Sequence, residues 1–391
     1  MKALVFDKSK SDWESSRGFD LVNISEPSIN EKENPGDANY VIIKVHYAGI
    51  CGTDRGIWNR QAFKDAILNT IDEQVKNGGN PYRIIGHEFF GEVVKVGSKV
   101  KNVKPGDFVS QESHVVCNNC YQCKRGEKHV CTNEKILGIS HDGGFCEYAK
   151  IPSYILWKTD TSKIRPEIAA MQEPFGNAVH AASKVDVKGK TVAIFGLGPI
   201  GMFLTMIVKG MGALSIIGIE PNPVAIDMAK KLGIDYVIPL KKIVHSKQYS
   251  AKPYQHNPEV TDEIMKITKG IGVDVSFEMA GFNDSVNNAI AGVRRGGEVI
   301  LFGLKTGDFV FEDYNKLVMK GITMYCVAGR RVWDTWKITK KLFEDTGNKI
   351  QENMWNVILD QGRGTILPIS EYTKDRFEQM MSEHPKLLIQ F

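Results

Sequence analysis

The chain has 391 residues, long enough for about two domains, and its 42% apolar and 25% charged residues are those of an ordinary globular protein. The net charge is only +4, and basic doublets such as Lys230-Lys231 and Lys241-Lys242 are short and separated. Neither a nucleic acid nor a membrane surface is therefore expected as a partner.

In chain order, the opening run Met1–Asp7 is too short for a secretion signal. Residues 40–45 and 91–96 are β-branched runs, and Lys104-Pro105-Gly106-Asp107 marks a turn between strands. Apolar residues at helical spacing predict a helix over about 61–76, the main helical pattern in a strand-rich first 150 residues. Seven cysteines follow an uneven plan. Cys117, Cys120, Cys123 and Cys131 fall within 15 residues, at a spacing that can close a tetrahedron around zinc. Such a site has no open position, so it is structural. Cys146 and Cys326 stand apart and read as small buried residues. Clustered cysteines behind no secretion signal make the cytoplasm the expected location.

From about residue 175 the texture becomes alternating strand and helix, which predicts a parallel, doubly wound sheet. Residues 191–208 carry no charge, yet their glycines argue for a buried strand-turn-helix unit rather than a membrane span. Gly196-Leu197-Gly198-Pro199-Ile200-Gly201 is a G-x-G-x-x-G placed directly after a strand and opening a helix. Gly196 would permit the tight turn, Gly198 the approach of a pyrophosphate, and Gly201 the packing of helix on strand. Pro199 and Ile200 open the helix whose N–H groups would face the phosphates. Glu220 follows 19 residues after Gly201; its carboxylate would accept from ribose hydroxyls and repel a 2′-phosphate, favouring NAD over NADP.

These segments, with Gly49-Ile50-Cys51-Gly52-Thr53-Asp54 and Gly86-His87-Glu88, resemble the zinc-containing medium-chain dehydrogenase/reductase family along essentially the whole chain. The resemblance implies an α/β fold. It consists of a GroES-like, strand-rich catalytic domain (1–174, rejoined by 316–391) and a Rossmann domain with a doubly wound parallel sheet (175–315). It implies a second, catalytic zinc on Cys51 and His87, with Glu88 and Glu173 as further candidate ligands, hence two zinc ions per chain and a homotetramer. Asp54 would orient His87.

Three stretches resemble the threonine dehydrogenase branch of that family. They are Glu112-Ser113-His114, Gln172-Glu173-Pro174-Phe175-Gly176-Asn177 and Gly329-Arg330-Arg331-Val332-Trp333-Asp334-Thr335-Trp336. The resemblance places His114, Arg330 and Trp333 at the substrate. A histidine that relays the alcohol proton is expected within two residues after Cys-Gly-Thr-Asp; Arg55 and Gly56 stand there instead. The relay would then run through Thr53 with His114 or water. Oxidation of L-threonine at its 3-hydroxyl, to 2-amino-3-oxobutanoate, is the leading expectation. A polyol or aldose as substrate, of the sorbitol or glucose type, and a non-catalytic zinc-binding protein are the alternatives.

Overall fold

In the computed structural model, which describes residues 1–240, 252–304 and 307–391, the contacts divide the chain into two units. One comprises Met1–Pro174 and Arg331–Phe391, the other Phe175–Arg330. Lys241 and Lys242 lie outside the described residues.

The second unit is built on six strands in the spatial order Tyr236–Pro239, Ser215–Glu220, Thr191–Phe195, Val273–Glu278, Val293–Leu301 and Thr323–Cys326. All neighbours pair in parallel. The chain enters in the middle, moves to one edge, then returns to build the other. The order therefore reverses at Thr191–Phe195, and ligands of such sheets bind beyond the carboxyl ends of the strands at that reversal. The strand Thr323–Cys326 corrects the expected boundary. Because it pairs with Val293–Leu301 and extends this sheet, residues 316–330 belong to the second unit, and the chain rejoins the first only at Arg331. Cys326, on this edge strand, is exposed, not buried as its sequence setting suggested.

The first unit holds a seven-stranded sheet. Its central strands are Glu88–Val96, Tyr40–Gly49 and Leu388–Gln390, which pair antiparallel with one another, while Leu388–Gln390 pairs in parallel with Ile366–Pro368 on its other side. The register places Gly49 opposite Glu88 on one side and opposite Leu388 on the other. Residues 51, 87 and 386 thus emerge from three adjacent strand ends. Beside this sheet lies a three-stranded one, Asp20–Asn23, Lys2–Asp7 and Tyr82–Ile84.

The helix expected over about 61–76 forms as Lys64–Lys76, after Phe63 turns into a left-handed conformation at φ 62°. It is part of the core. Ile67 and Ile71, one turn apart, are fully buried in the same apolar cluster as Leu4, Phe6 and Ile85. Arg83 of the neighbouring strand ties it down further, reaching Thr70 Oγ1 at 3.3 Å and Asp142 at 2.8 Å. Truncating Ile71→Ala should lower stability by about 2–5 kcal/mol, measured as a fall in the denaturant midpoint. A helix that merely rested on the surface would lose less than about 0.5 kcal/mol.

Candidate active site and metal centres

Cys51 precedes the short helix Gly52–Trp58, and Asp54 in its first turn accepts the Cys51 backbone N–H at 2.8 Å. The other Asp54 oxygen stands 3.5 Å from His87 Nδ1, so Asp54 faces both residues. His87 is fixed at its backbone, where its carbonyl accepts from Gln111 Nε2 at 2.7 Å. One ligand atom each from Cys51, His87 and Glu88 lie within 4.8 Å of one another. Buried atoms in this group lack hydrogen-bond partners: His87 Nδ1, Glu88 Oε1 and Asp54 Oδ1. Uncompensated buried polar atoms are costly, and a thiol, an imidazole and a carboxylate that converge in this way suit a zinc ion.

Electrostatics point the same way. Burial pushes the His87 imidazole down, but Asp54 and Cys51 outweigh it and hold its pKa well above the ordinary value. Burial raises the Glu88 carboxyl; Lys386 opposes this and Glu173 adds to it. The pocket thus demands positive charge. Glu173 is buried and near enough to act on Glu88, yet it is not a member of the close ligand group. It follows Gln172, which Ser110 Oγ at 2.9 Å and Thr159 Oγ1 at 2.8 Å hold in place.

Sequence reasoning missed Lys386. Its side chain is 1% exposed and forms an ion pair with Glu88, which is wholly buried, while donating to the Ile50 carbonyl at 3.0 Å. Gly49 makes this possible, because a Cβ there would collide with the Glu88 carboxylate. The one signal was a lysine placed directly before an apolar run, Leu387-Leu388-Ile389. Arg55 belongs to the same brace. Its guanidinium donates to the carbonyls of Met381, His384 and Pro385, so it is committed to structure and not to proton transfer.

The cysteine lobe is compact. Cys131 Sγ lies 3.5 Å from Cys117 Sγ and 3.8 Å from Cys120 Sγ, and all four sulfurs fall within 4.8 Å of one another. Four sulfurs bound at about 2.3 Å to one ion would stand about 3.8 Å apart. Backbone N–H groups of Asn119 and Cys120 point at Cys117 Sγ, and the N–H of Cys123 helps bring the Cys120 thiol down to about 5. All seven cysteines are free of disulfides.

His114 is half-buried, with Nδ1 2.6 Å from Glu134. A carboxylate can only accept, so Nδ1 carries the proton and Nε2 is left for another partner. Trp333 takes a left-handed backbone at φ 71° and stacks on Trp157 at 5.5 Å. Trp336 is core, 1% exposed. Arg330, in the other unit, is buried with Nη1 3.1 Å from Asn177 Oδ1.

In that unit the glycine turn takes the shape its sequence requires. Gly196 has φ 93°, Gly201 has no room for a Cβ beside the Gly196 carbonyl, and the space where a Gly198 Cβ would stand is open. Pro199 opens the helix Pro199–Gly210 and Ile200 follows in its first turn. Glu220 has a role the sequence did not show. It accepts the Leu197 N–H at 2.7 Å and the Asn222 N–H at 2.9 Å, bracing the turn itself.

The profile of the alcohol dehydrogenase GroES-like domain matches residues 37–161, and that of the zinc-binding dehydrogenase domain matches residues 199–345. The chain is 38% identical to an L-threonine 3-dehydrogenase of Pyrococcus horikoshii over 84% of each chain. It belongs to the zinc-containing medium-chain dehydrogenase family. It is also similar to the L-threonine 3-dehydrogenase of Caldanaerobacter subterraneus, 36% identical over 91% of each chain. The 2R,3R-butanediol dehydrogenase from Bacillus subtilis shares the fold. Its TM-score is 0.77 at 24% identity, covering 100% of this chain and 99% of that one. As a medium-chain dehydrogenase the chain is an oxidoreductase of small alcohols that uses zinc and a nicotinamide dinucleotide, which sets aside a non-catalytic zinc-binding role.

Replacing Lys386→Met should cost about 3–5 kcal/mol, because it strands the buried Glu88 charge, and adding Glu88→Gln should recover part of the loss. Chemical denaturation of both variants reads this directly. A loss below about 1 kcal/mol for the single variant, the scale of a surface pair, would show that the pair holds nothing together.

Proposed function

We propose that this dehydrogenase oxidises the 3-hydroxyl of L-threonine to 2-amino-3-oxobutanoate with NAD⁺ as hydride acceptor. The observation that carries the reading is the similarity to threonine dehydrogenases, at 33–38% identity over 84–91% of the chain. NAD is favoured by the Glu220 carboxylate at the end of its strand, which would meet a 2′-phosphate with like charge.

In this reading Cys51 and His87 hold the catalytic zinc, with Glu88 and Glu173 as the carboxylates nearest to join them. Cys117, Cys120, Cys123 and Cys131 hold a structural zinc. When bound, the catalytic ion supplies a Lewis acid that favours the ionised form of the alcohol. The chain's own groups do the rest. Thr53, in the first turn after Cys51, accepts the hydroxyl proton at Oγ1 and releases its own to His114 or water, since Arg55 is committed to the carbonyls near residue 384. His114 offers Nε2 to the substrate, its ring oriented by Glu134. Trp333 and Arg330 complete the substrate contacts. Gly196, Gly198 and Gly201 bring backbone N–H groups, with the helix opened by Pro199 and Ile200, to the pyrophosphate.

The cytoplasm and a homotetramer belong to the same proposal. Cysteines free of disulfides support the first, and family resemblance supports the second.

A panel of L-threonine, sorbitol and glucose with NAD⁺ or NADP⁺, followed by absorbance of the reduced cofactor, should show strongest turnover of threonine with NAD⁺. Turnover of sorbitol or glucose without threonine would sink the substrate assignment. Metal analysis should find two zinc ions per chain. Cys51→Ser should lose one of them and all turnover while keeping NAD binding; a variant that still turns over would refute the catalytic ligand set.

A further inference from the structure

Two segments that are more than 200 residues apart in sequence meet on one side chain. Glu112, at the end of the strand Phe108–Gln111, is completely buried. One of its oxygens accepts the backbone N–H of His114 at 3.1 Å, and the other accepts the indole N–H of Trp336 at 2.9 Å. The Trp336 ring lies 5.8 Å from that of Trp157 and 5.9 Å from that of Trp333, and Trp157 stacks on Trp333 with an angle of 20° between planes. We propose that Glu112 is a positioning residue that fixes His114 and the Trp333 ring relative to each other, so that two remote segments form one wall for the alcohol substrate. This rests on the reading that His114 and Trp333 contact substrate.

A carboxylate suits the task for a definite reason. Both of its oxygens accept, whereas glutamine offers one acceptor and one donor, and would set an N–H against either the His114 amide or the Trp336 indole. An apolar core would ordinarily exclude such a charge. Trp333 supplies the second reason. A left-handed backbone is unfavourable for a bulky residue and persists only where its surroundings over-determine it. The rings of Trp157 and Trp336 do this, and the Trp336 ring is held in register through Glu112.

The test compares Glu112→Gln, Trp336→Phe and the double variant. Phenylalanine keeps an aromatic ring but has no N–H to donate. Each single variant should raise KM for the alcohol about tenfold, the effect of one lost buried hydrogen bond. The kcat should change less than about threefold, and KM for NAD⁺ should stay as in the parent. The double variant should be no worse than the worse single one, because both remove the same link. In spectra of protein with labelled histidine, both singles should move the same His114 ring signal. Additive KM effects, an equal rise in KM for NAD⁺, or an unmoved His114 signal in Trp336→Phe would overturn the proposal. If Glu112→Gln does not fold, Trp336→Phe decides alone, on KM and on the His114 signal. The alcohol used is whichever the parent enzyme oxidises best, so failure of threonine as substrate is a separate result.

Discussion

Three strand ends fix the candidate catalytic centre. Gly49, Glu88 and Leu388 stand side by side in one sheet, and Cys51, His87 and Lys386 each lie within two residues of one of them. Register in a sheet is all-or-none, since a slip of one residue turns every side chain to the opposite face. The ion pair between Glu88 and Lys386 locks that register from within, because neither group has water to fall back on. Placement of the candidate metal ligands is therefore inherited from strand pairing.

Charge balance follows from the same placement. Asp54, Glu88 and Glu173 place three carboxyl groups in a buried space that Lys386 enters with a single amino group. A dication would suit such a space, and the unpartnered atoms of His87, Glu88 and Asp54 collect there. Arg55 and Lys386 both bind residues 381–387 to the Cys51 segment, Arg55 by donating to the carbonyls of Met381, His384 and Pro385 and Lys386 by donating to that of Ile50. The cation count of the site is thus set partly by a segment that bears none of the expected ligands.

Local signals carried well. The cysteine lobe, the glycine turn and the strand-helix alternation after residue 175 are encoded in short spacings, and the structure forms each of them. The helix Lys64–Lys76 was equally legible from its apolar repeat, though its burial in the main core was not. What escaped was long-range. Lys386 with Glu88, and Glu112 with Trp336, are pairs separated by 298 and 224 positions, and no periodicity links such residues. The boundary near residue 330 escaped for a related reason: a four-residue edge strand has too little pattern to declare which sheet it will join.

The catalytic unit is discontinuous, and this orders events in time. A ribosome delivers Cys51 and His87 early, then the whole of residues 175–330, and only afterwards Lys386 and the strand that pairs with Tyr40–Gly49. Until that strand docks, the Glu88 carboxylate lacks the Lys386 ammonium, and the Tyr47–Gly49 end of the Tyr40–Gly49 strand lacks one of its two partners. The doubly wound unit, contiguous in sequence, can close first. The surroundings of the candidate metal group Cys51, His87 and Glu88 are in this sense completed only after residues 175–330 have been made, when the strand Leu388–Gln390 docks.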